Sequence, residues 1–152
     1  MGYSYKKALE RLCSYAYENG FKKVVLNHTG TSRMTWRHGT LNDFISIYIE
    51  DGYSLEIKTY IFLHELGHYK LRRDWVKFER RFPITAYAEE RSEMGDKRYV
   101  RRNLYKVSSL EEEYMAWEEG LRLGYRMGIR IDQSKFMEFK SKCLRGYITY
   151  YA

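Results

Sequence analysis

One stretch, IFLHELGHYKL at residues 61–71, restricts the fold of this chain more than any other. Phe62, Leu63 and Leu66 predict a helix packed on most of its sides, yet His64, Glu65 and His68 sit in its middle with Gly67 among them. Side chains four residues apart share one face of a helix. His64 and His68 therefore point the same way, together with Ile57, Ile61 and Leu71. Two neutral imidazoles at that spacing can hold one zinc ion. Glu65 lies about 100° further round the helix, where it reaches a water on the metal without ligating the metal. That is the division of labour in a metal-assisted hydrolase: zinc acidifies the water and a glutamate takes its proton. The competing reading makes both histidines core residues bonded to backbone. The chain has four histidines in all, and three polar groups at this spacing on an otherwise apolar helix favour the metal.

The rest of the sequence supplies a frame for that helix. Tyr5, Ala8, Leu9, Leu12 and Ala16 recur at helical spacing over residues 4–18, and Asn19-Gly20 is a stop signal. FKKVVLNH predicts a strand, HTGT a turn, and SRMTWRH a hairpin partner for it. DFISIYIE alternates like a sheet strand with both faces partly covered. Ser54 can cap the helix over about 55–72. Residues 74–107 carry weaker signals: Pro83 must interrupt any helix there, and SEMGDKRY has the composition of a loop or hairpin tip. Ser108 with Glu111 and Ser109 with Glu112 fit a capping box, opening a helix over SSLEEEYMAWEEGLRLGYRMG. A last amphipathic helix carries Phe136, Phe139, Cys143 and Tyr147 on one face. The expectation is one α+β domain over residues 1–152, with an antiparallel or mixed sheet of about three strands and about four helices.

A catalytic zinc takes a third protein ligand and keeps a position open for water. Asp74 follows His68 by six residues, but a ligand there needs a turn that Leu71 does not provide. Glu111, Glu112 and Glu113 are better placed. With Ala116 at 0°, Gly120 falls at about 40°, Glu113 at about 60° and Gly124 at about 80°, whereas Glu112 falls at about −40° and Glu111 at about −140°. Interior glycines cost about 0.5–1 kcal/mol each relative to alanine, and close approach of another helix is the usual reason for them. Gly67 is the matching thin spot. Glu113 on that stripe is a poor core residue unless it meets a cation, so it is favoured as ligand, with Glu112 next.

HELGH, together with residues 44–125 around it, resembles the zincin metallopeptidases, especially the small intracellular ImmA/IrrE-like type. The resemblance implies a zinc peptidase fold of the gluzincin kind, with a strand before the HExxH helix and a glutamate on a later helix. The Glu-x-x-Ala of that family fits EYMA at 113–116, although Met115 stands where relatives often have a second glutamate.

Composition narrows the function further. The net charge is +7, and residues 70–106 hold twelve Lys or Arg against six Asp or Glu. Their interleaving with Trp75, Phe78, Phe82, Tyr87, Tyr99 and Tyr105 can bind nucleic acid through phosphates and stacking; the plainer reading is a solvated connector whose aromatics fill the core. His28 and His38 flank the expected hairpin, and neither is singled out as an oxyanion donor. Cys13 and Cys143 have no disulfide or metal-site spacing and read as free buried thiols. With no apolar leader and no membrane-length apolar run, the expectation is a cytoplasmic protein without a membrane partner. Two functions follow: a zinc peptidase acting on an intracellular protein or peptide, or a zincin-fold binding protein with structural zinc and a basic face for nucleic acid or an acidic protein.

Overall fold

The computed structural model describes residues 2–37 and 43–151; His38 lies outside the described residues. Helix α1 (Tyr5–Glu18) leads into strands β1 (Lys23–His28), β2 (Arg33–Arg37) and β3 (Asp43–Glu50), then α2 (Leu55–Arg72). Two short helices follow, α3 (Trp75–Arg81) and α4 (Pro83–Glu93), then a 3₁₀ turn over Tyr99–Arg101 and the long helices α5 (Asn103–Arg126) and α6 (Gln133–Tyr151). The fold is α+β, with a three-stranded mixed sheet and six α-helices among the described residues, two more than the sequence led us to expect.

The sheet corrects the expected hairpin. Its order is β1-β3-β2, so β3 takes the centre, parallel to β1 and antiparallel to β2. The physical reason lies in the side chains. Phe44, Ser46, Ile47 and Ile49 of β3 are all buried, whereas β1 and β2 have no buried residue and expose Lys23, Asn27, Arg33 and Arg37. The strand with the most apolar surface to cover goes inside, and the two amphipathic strands flank it.

Helix α2 lies under this sheet and is the most buried element of the chain. Ser54 caps it by accepting from Ile57 N–H, and twelve of its eighteen residues are buried. On one side it meets α1 and the sheet through Phe62, Leu66, Ile47 and Leu12. On the other it meets α5. Gly120 and Gly67 let the two backbones touch: a methyl added to Gly67 would stand 2.7 Å from the Ala116 carbonyl carbon, and one added to Gly120 would stand 2.7 Å from that of Leu63. The glycine stripe read from the sequence is therefore the α2–α5 contact.

Two other expectations need correction. Ser108 and Ser109 do not open a helix; α5 begins five residues earlier at Asn103, and Ser108 is buried, sharing a 2.5 Å hydrogen bond with Thr85 of α4. A local capping pattern has yielded to a tertiary contact. In the segment that resisted reading, Asp74 caps α3 and Pro83 opens α4 rather than merely ending a helix, as suits a residue lacking the N–H that a first turn leaves unpaired. Helix α6 packs back across α2 and α5: Asp132 N–H donates to Tyr60 Oη at 2.9 Å, and Phe136 lies edge-on to Trp117 at 5.4 Å.

Candidate metal centre

Helix spacing sets the first half of the site. His64 and His68 stand one turn apart on α2, ring centroids 4.7 Å apart. The α2–α5 contact sets the second half, because only helices this close let a glutamate on one reach two histidines on the other. Glu113 Oε2 lies 3.1 Å from His64 Nε2 and 3.2 Å from His68 Nε2. Ligand atoms of His64, His68 and Glu113 all fall within 4.8 Å of one another.

Each histidine is held from behind. The His64 ring stacks on Trp117 at 4.2 Å and 20°, leaving Nδ1 without a hydrogen-bond partner among the described residues. His68 Nδ1 lies 2.7 Å from Glu112 Oε2. Glu112 in turn accepts from Arg72 Nε at 2.8 Å and from an Arg72 terminal nitrogen at 2.6 Å. Arg72 makes two further bonds to Glu89 of α4, at 2.8 and 2.9 Å, and its guanidinium lies over the rings of Trp36 and Phe78. The chain Glu89–Arg72–Glu112–His68 thus ties α4, α2 and α5 into one network around the buried Arg72–Glu112 pair. An outer carboxylate on a histidine fixes its tautomer and ring angle, a common device behind metal ligands.

The electrostatics call for positive charge at the convergence point. Two carboxylates, Glu112 and Glu113, face His68. Burial alone would lower the His68 pKa, but those carboxylates override it and hold it well above the ordinary value. Burial would raise both glutamates, yet Arg72 and His68 pull Glu112 down to about 2, and the two histidines hold Glu113 well below the usual carboxylate range. A buried carboxylate flanked by two imidazole nitrogens needs either protons on those nitrogens or a cation among them. Two imidazole nitrogens and one carboxylate oxygen form a donor set that zinc favours, with room left for a fourth ligand. The residues fit the metal.

Glu65 is buried, and burial raises its pKa; Glu113 and Glu112 add to that rise, while His64 and His68 oppose it. It lines a cleft of about 490 Å³ with His64, His68, Glu112, Glu113 and Tyr147. Tyr147 of α6 lines the same cleft, and burial, then the nearby Glu113 carboxylate, pushes its pKa up. Edge strand β2 contributes Arg33, Met34 and Trp36 to the same rim.

The other sequence candidates lie elsewhere. Asp74 is at the N-terminus of α3, accepting from Lys77 N–H at 3.2 Å, and Glu111 is exposed. His28 lies tilted against Tyr48 within the sheet, ring centroids 4.7 Å apart. Phe78 and Phe82 of the basic segment are buried in the core, and so is Arg72. Cys13 and Cys143 are free but half-buried rather than buried. Sequence reasoning missed Arg72, Glu89 and Tyr147. Arg72 follows His68 by four residues, so the spacing that paired the histidines also marks it. Compared with family models, with curated proteins and with solved structures, the chain matches none.

Proposed function

We propose that the chain is a zinc-dependent peptidase, a zincin of the gluzincin kind resembling the ImmA/IrrE-like proteins, acting on a protein or peptide in the cytoplasm. One observation carries the reading: a buried glutamate, Glu65, opens onto the same cleft as three converging ligand groups. A structural zinc site has no need of it. Among the described residues no helix is long and apolar enough to cross a membrane.

Zinc, when bound, supplies a Lewis acid that acidifies a water and polarises a substrate carbonyl. His64, His68 and Glu113 hold it. Glu112, backed by Arg72, keeps His68 in the tautomer whose Nε2 faces the site. Glu65 takes the proton from the attacking water and returns it to the departing amine. Tyr147, in the wall of the same cleft, is the hydroxyl that meets the substrate carbonyl oxygen in this reading.

Glu65→Gln tests the reading. The variant should fold and bind zinc like the parent, yet lose about 10²–10⁴-fold in hydrolysis of denatured casein or a mixed peptide library, the usual worth of general-base help. A variant that keeps full activity refutes the peptidase. The net charge of +7 favours the alternative, a zinc-stabilised binding module. There Glu65→Gln is silent, whereas Arg101→Glu with Arg102→Glu abolishes binding, with a steep salt dependence if the partner is nucleic acid.

A further inference from the structure

The polar cleft over the proposed centre has a direction. Strand β2 pairs antiparallel with β3, which sets Arg33 opposite Tyr48 and Trp36 opposite Phe44. Phe44 packs on Tyr69, ring centroids 4.7 Å apart, and the Arg72 guanidinium lies 5.0 Å from the Trp36 ring. Trp36 therefore marks the C-terminal end of α2. Arg33, three residues back along the strand, stands about 10 Å nearer the other end, and its neighbour Ser32 shares a wall with Ile61 and His64. Glu89 belongs to the C-terminal end through its pair with Arg72, and Glu93 follows it one turn later on α4. A peptide laid along α2 over His64, His68 and Glu113 thus runs from the Arg33 end of the cleft to the Glu93 end.

Most charges in this wall are paired. His64 and His68 face Glu113 and Glu112, and Arg72 holds Glu112 and Glu89. Glu65 is the proposed base. Two exposed charges are left over, one at each end: Arg33, whose guanidinium lies 5.1 Å from the Tyr48 ring centroid, and Glu93. Neither has an ion-pair partner among the described residues. Glu93 is also poorly suited to its place in the fold. It is the last residue of α4, where the helix dipole disfavours negative charge. Glu89 and Glu90 stand four and three residues before it, and like charges at those spacings repel. Breaches of local preference without a compensating partner collect at functional sites.

We propose that Arg33 and Glu93 give the cleft opposite charges at its two ends, so that it selects a peptide with an acidic side chain at the β2 end, a basic one at the α4 end and the scissile bond between them. The assignment rests on the peptidase reading and names its substrate class. Arg72 does not offset Glu93, because Glu89 and Glu112 already neutralise it. Selection works by exclusion as well as attraction: a peptide laid with the reverse order of charges meets a like charge at both ends.

Three peptide libraries test it on the zinc-loaded protein: Asp-X-X-X-X-Lys, Lys-X-X-X-X-Asp and Ala-X-X-X-X-Ala, with X a mixture of uncharged residues and both termini blocked. The parent should cleave one charged library ~3- to ~30-fold faster than the other in kcat/KM, the worth of two exposed charge pairs. Which library wins gives the direction of the bound chain. In 1 M salt, where the Debye length is about 3 Å, the two should come within ~2-fold. Glu93→Lys makes both ends basic and suits the end of α4, so it should fold and lose the preference. Glu93→Gln, which keeps the shape and drops the charge, should give an intermediate preference. Arg33→Glu with Glu93→Lys should reverse it. All variants should cleave the uncharged library within ~2-fold of the parent, since the metal ligands and Glu65 are untouched. Equal cleavage of the two charged libraries by the parent, or a preference that keeps its sign in the double variant, overturns the selection and leaves the peptidase standing. If the parent cleaves none of the three, the peptidase and the selection fall together.

Discussion

The α2–α5 contact makes Gly67→Ala and Gly146→Ala, identical changes inside helices, act in opposite directions. Both gain about 0.5–1 kcal/mol of helix propensity. At Gly146 nothing opposes that gain. At Gly67 the new methyl would stand 2.7 Å from the Ala116 carbonyl carbon. Ordinary carbon–carbon contact begins at about 3.5 Å, and the Ala116 carbonyl oxygen stands nearer still, so more than about 0.8 Å must be found between two backbones. Overpacking costs about 1–3 kcal/mol and so tight a clash takes the upper part of that range, which, net of the propensity gain, leaves Gly67→Ala about 1–2.5 kcal/mol less stable. In a chain of this size that is a fall of about 2–10 °C in Tm, against a rise of about 1–4 °C for Gly146→Ala. The same displacement carries Glu113 away from His64 and His68. Metal sites tolerate about 0.2 Å in ligand distance, so zinc affinity should fall by at least about 10-fold in Gly67→Ala and hold in Gly146→Ala. Thermal unfolding of chelator-treated protein, followed by competition with a zinc indicator, measures both. Equal stabilisation by the two substitutions, or unchanged zinc affinity in Gly67→Ala, refutes the close-contact argument.

The remaining predictions concern individual groups. Glu113→Ala should weaken zinc binding more than Glu112→Ala, for which about 10- to 100-fold is expected of an outer partner, while Asp74→Ala and Glu111→Ala change little; indicator competition ranks them, and a reversed order of Glu113 and Glu112 would reassign the ligand. Glu112, held at about 2 against an ordinary value of 4.5, stabilises the metal-free fold above pH ~4.5 and loses that contribution as pH falls toward ~2. Glu112→Gln should therefore be less stable at neutral pH but flatter across that acid window in urea unfolding, and parallel acid limbs would contradict the pairing. Cys143 is pushed up to about 11 by burial and then by Glu113, Glu65 and Glu50. Iodoacetamide should modify it slowly at pH 7.5, far below the rate of a thiol with the ordinary pKa of about 8.5, and faster as pH rises toward 11; a fast neutral reaction would count against the half-buried placement beside these carboxylates.

What could be read from the sequence was whatever depends on spacing along one helix. His64 and His68, the cap at Ser54, and the glycines facing Gly67 are all fixed by about 100° per residue, so one chain segment suffices to place them. Strand pairing does not work that way. β1 and β2 are adjacent in sequence and separated by turn residues, yet each pairs with β3, because burial of Ile47 and Ile49 needs cover on both sides. Ser108 shows the same limit on α5: its capping pattern is local, but Thr85 claims its hydroxyl. Glu89 could not be found as the partner of Arg72, because nothing in α4 records which helix it will face.

Pairing α2 with α5 also sets an order in time. His68 and Glu112 are 44 residues apart, and α3, α4 and the 3₁₀ turn lie between them. During synthesis at about 5–20 residues per second, α2 emerges several seconds before the helix that covers it. In that interval the chain can offer it α1, the sheet and then α3 and α4, while the glycine face that α5 will cover stays bare. An apolar helix waiting that long is the natural point of attack for aggregation or chaperone capture. Growth of the chain at low temperature, or with chaperones in excess, should therefore raise the soluble yield more than any change to the sheet.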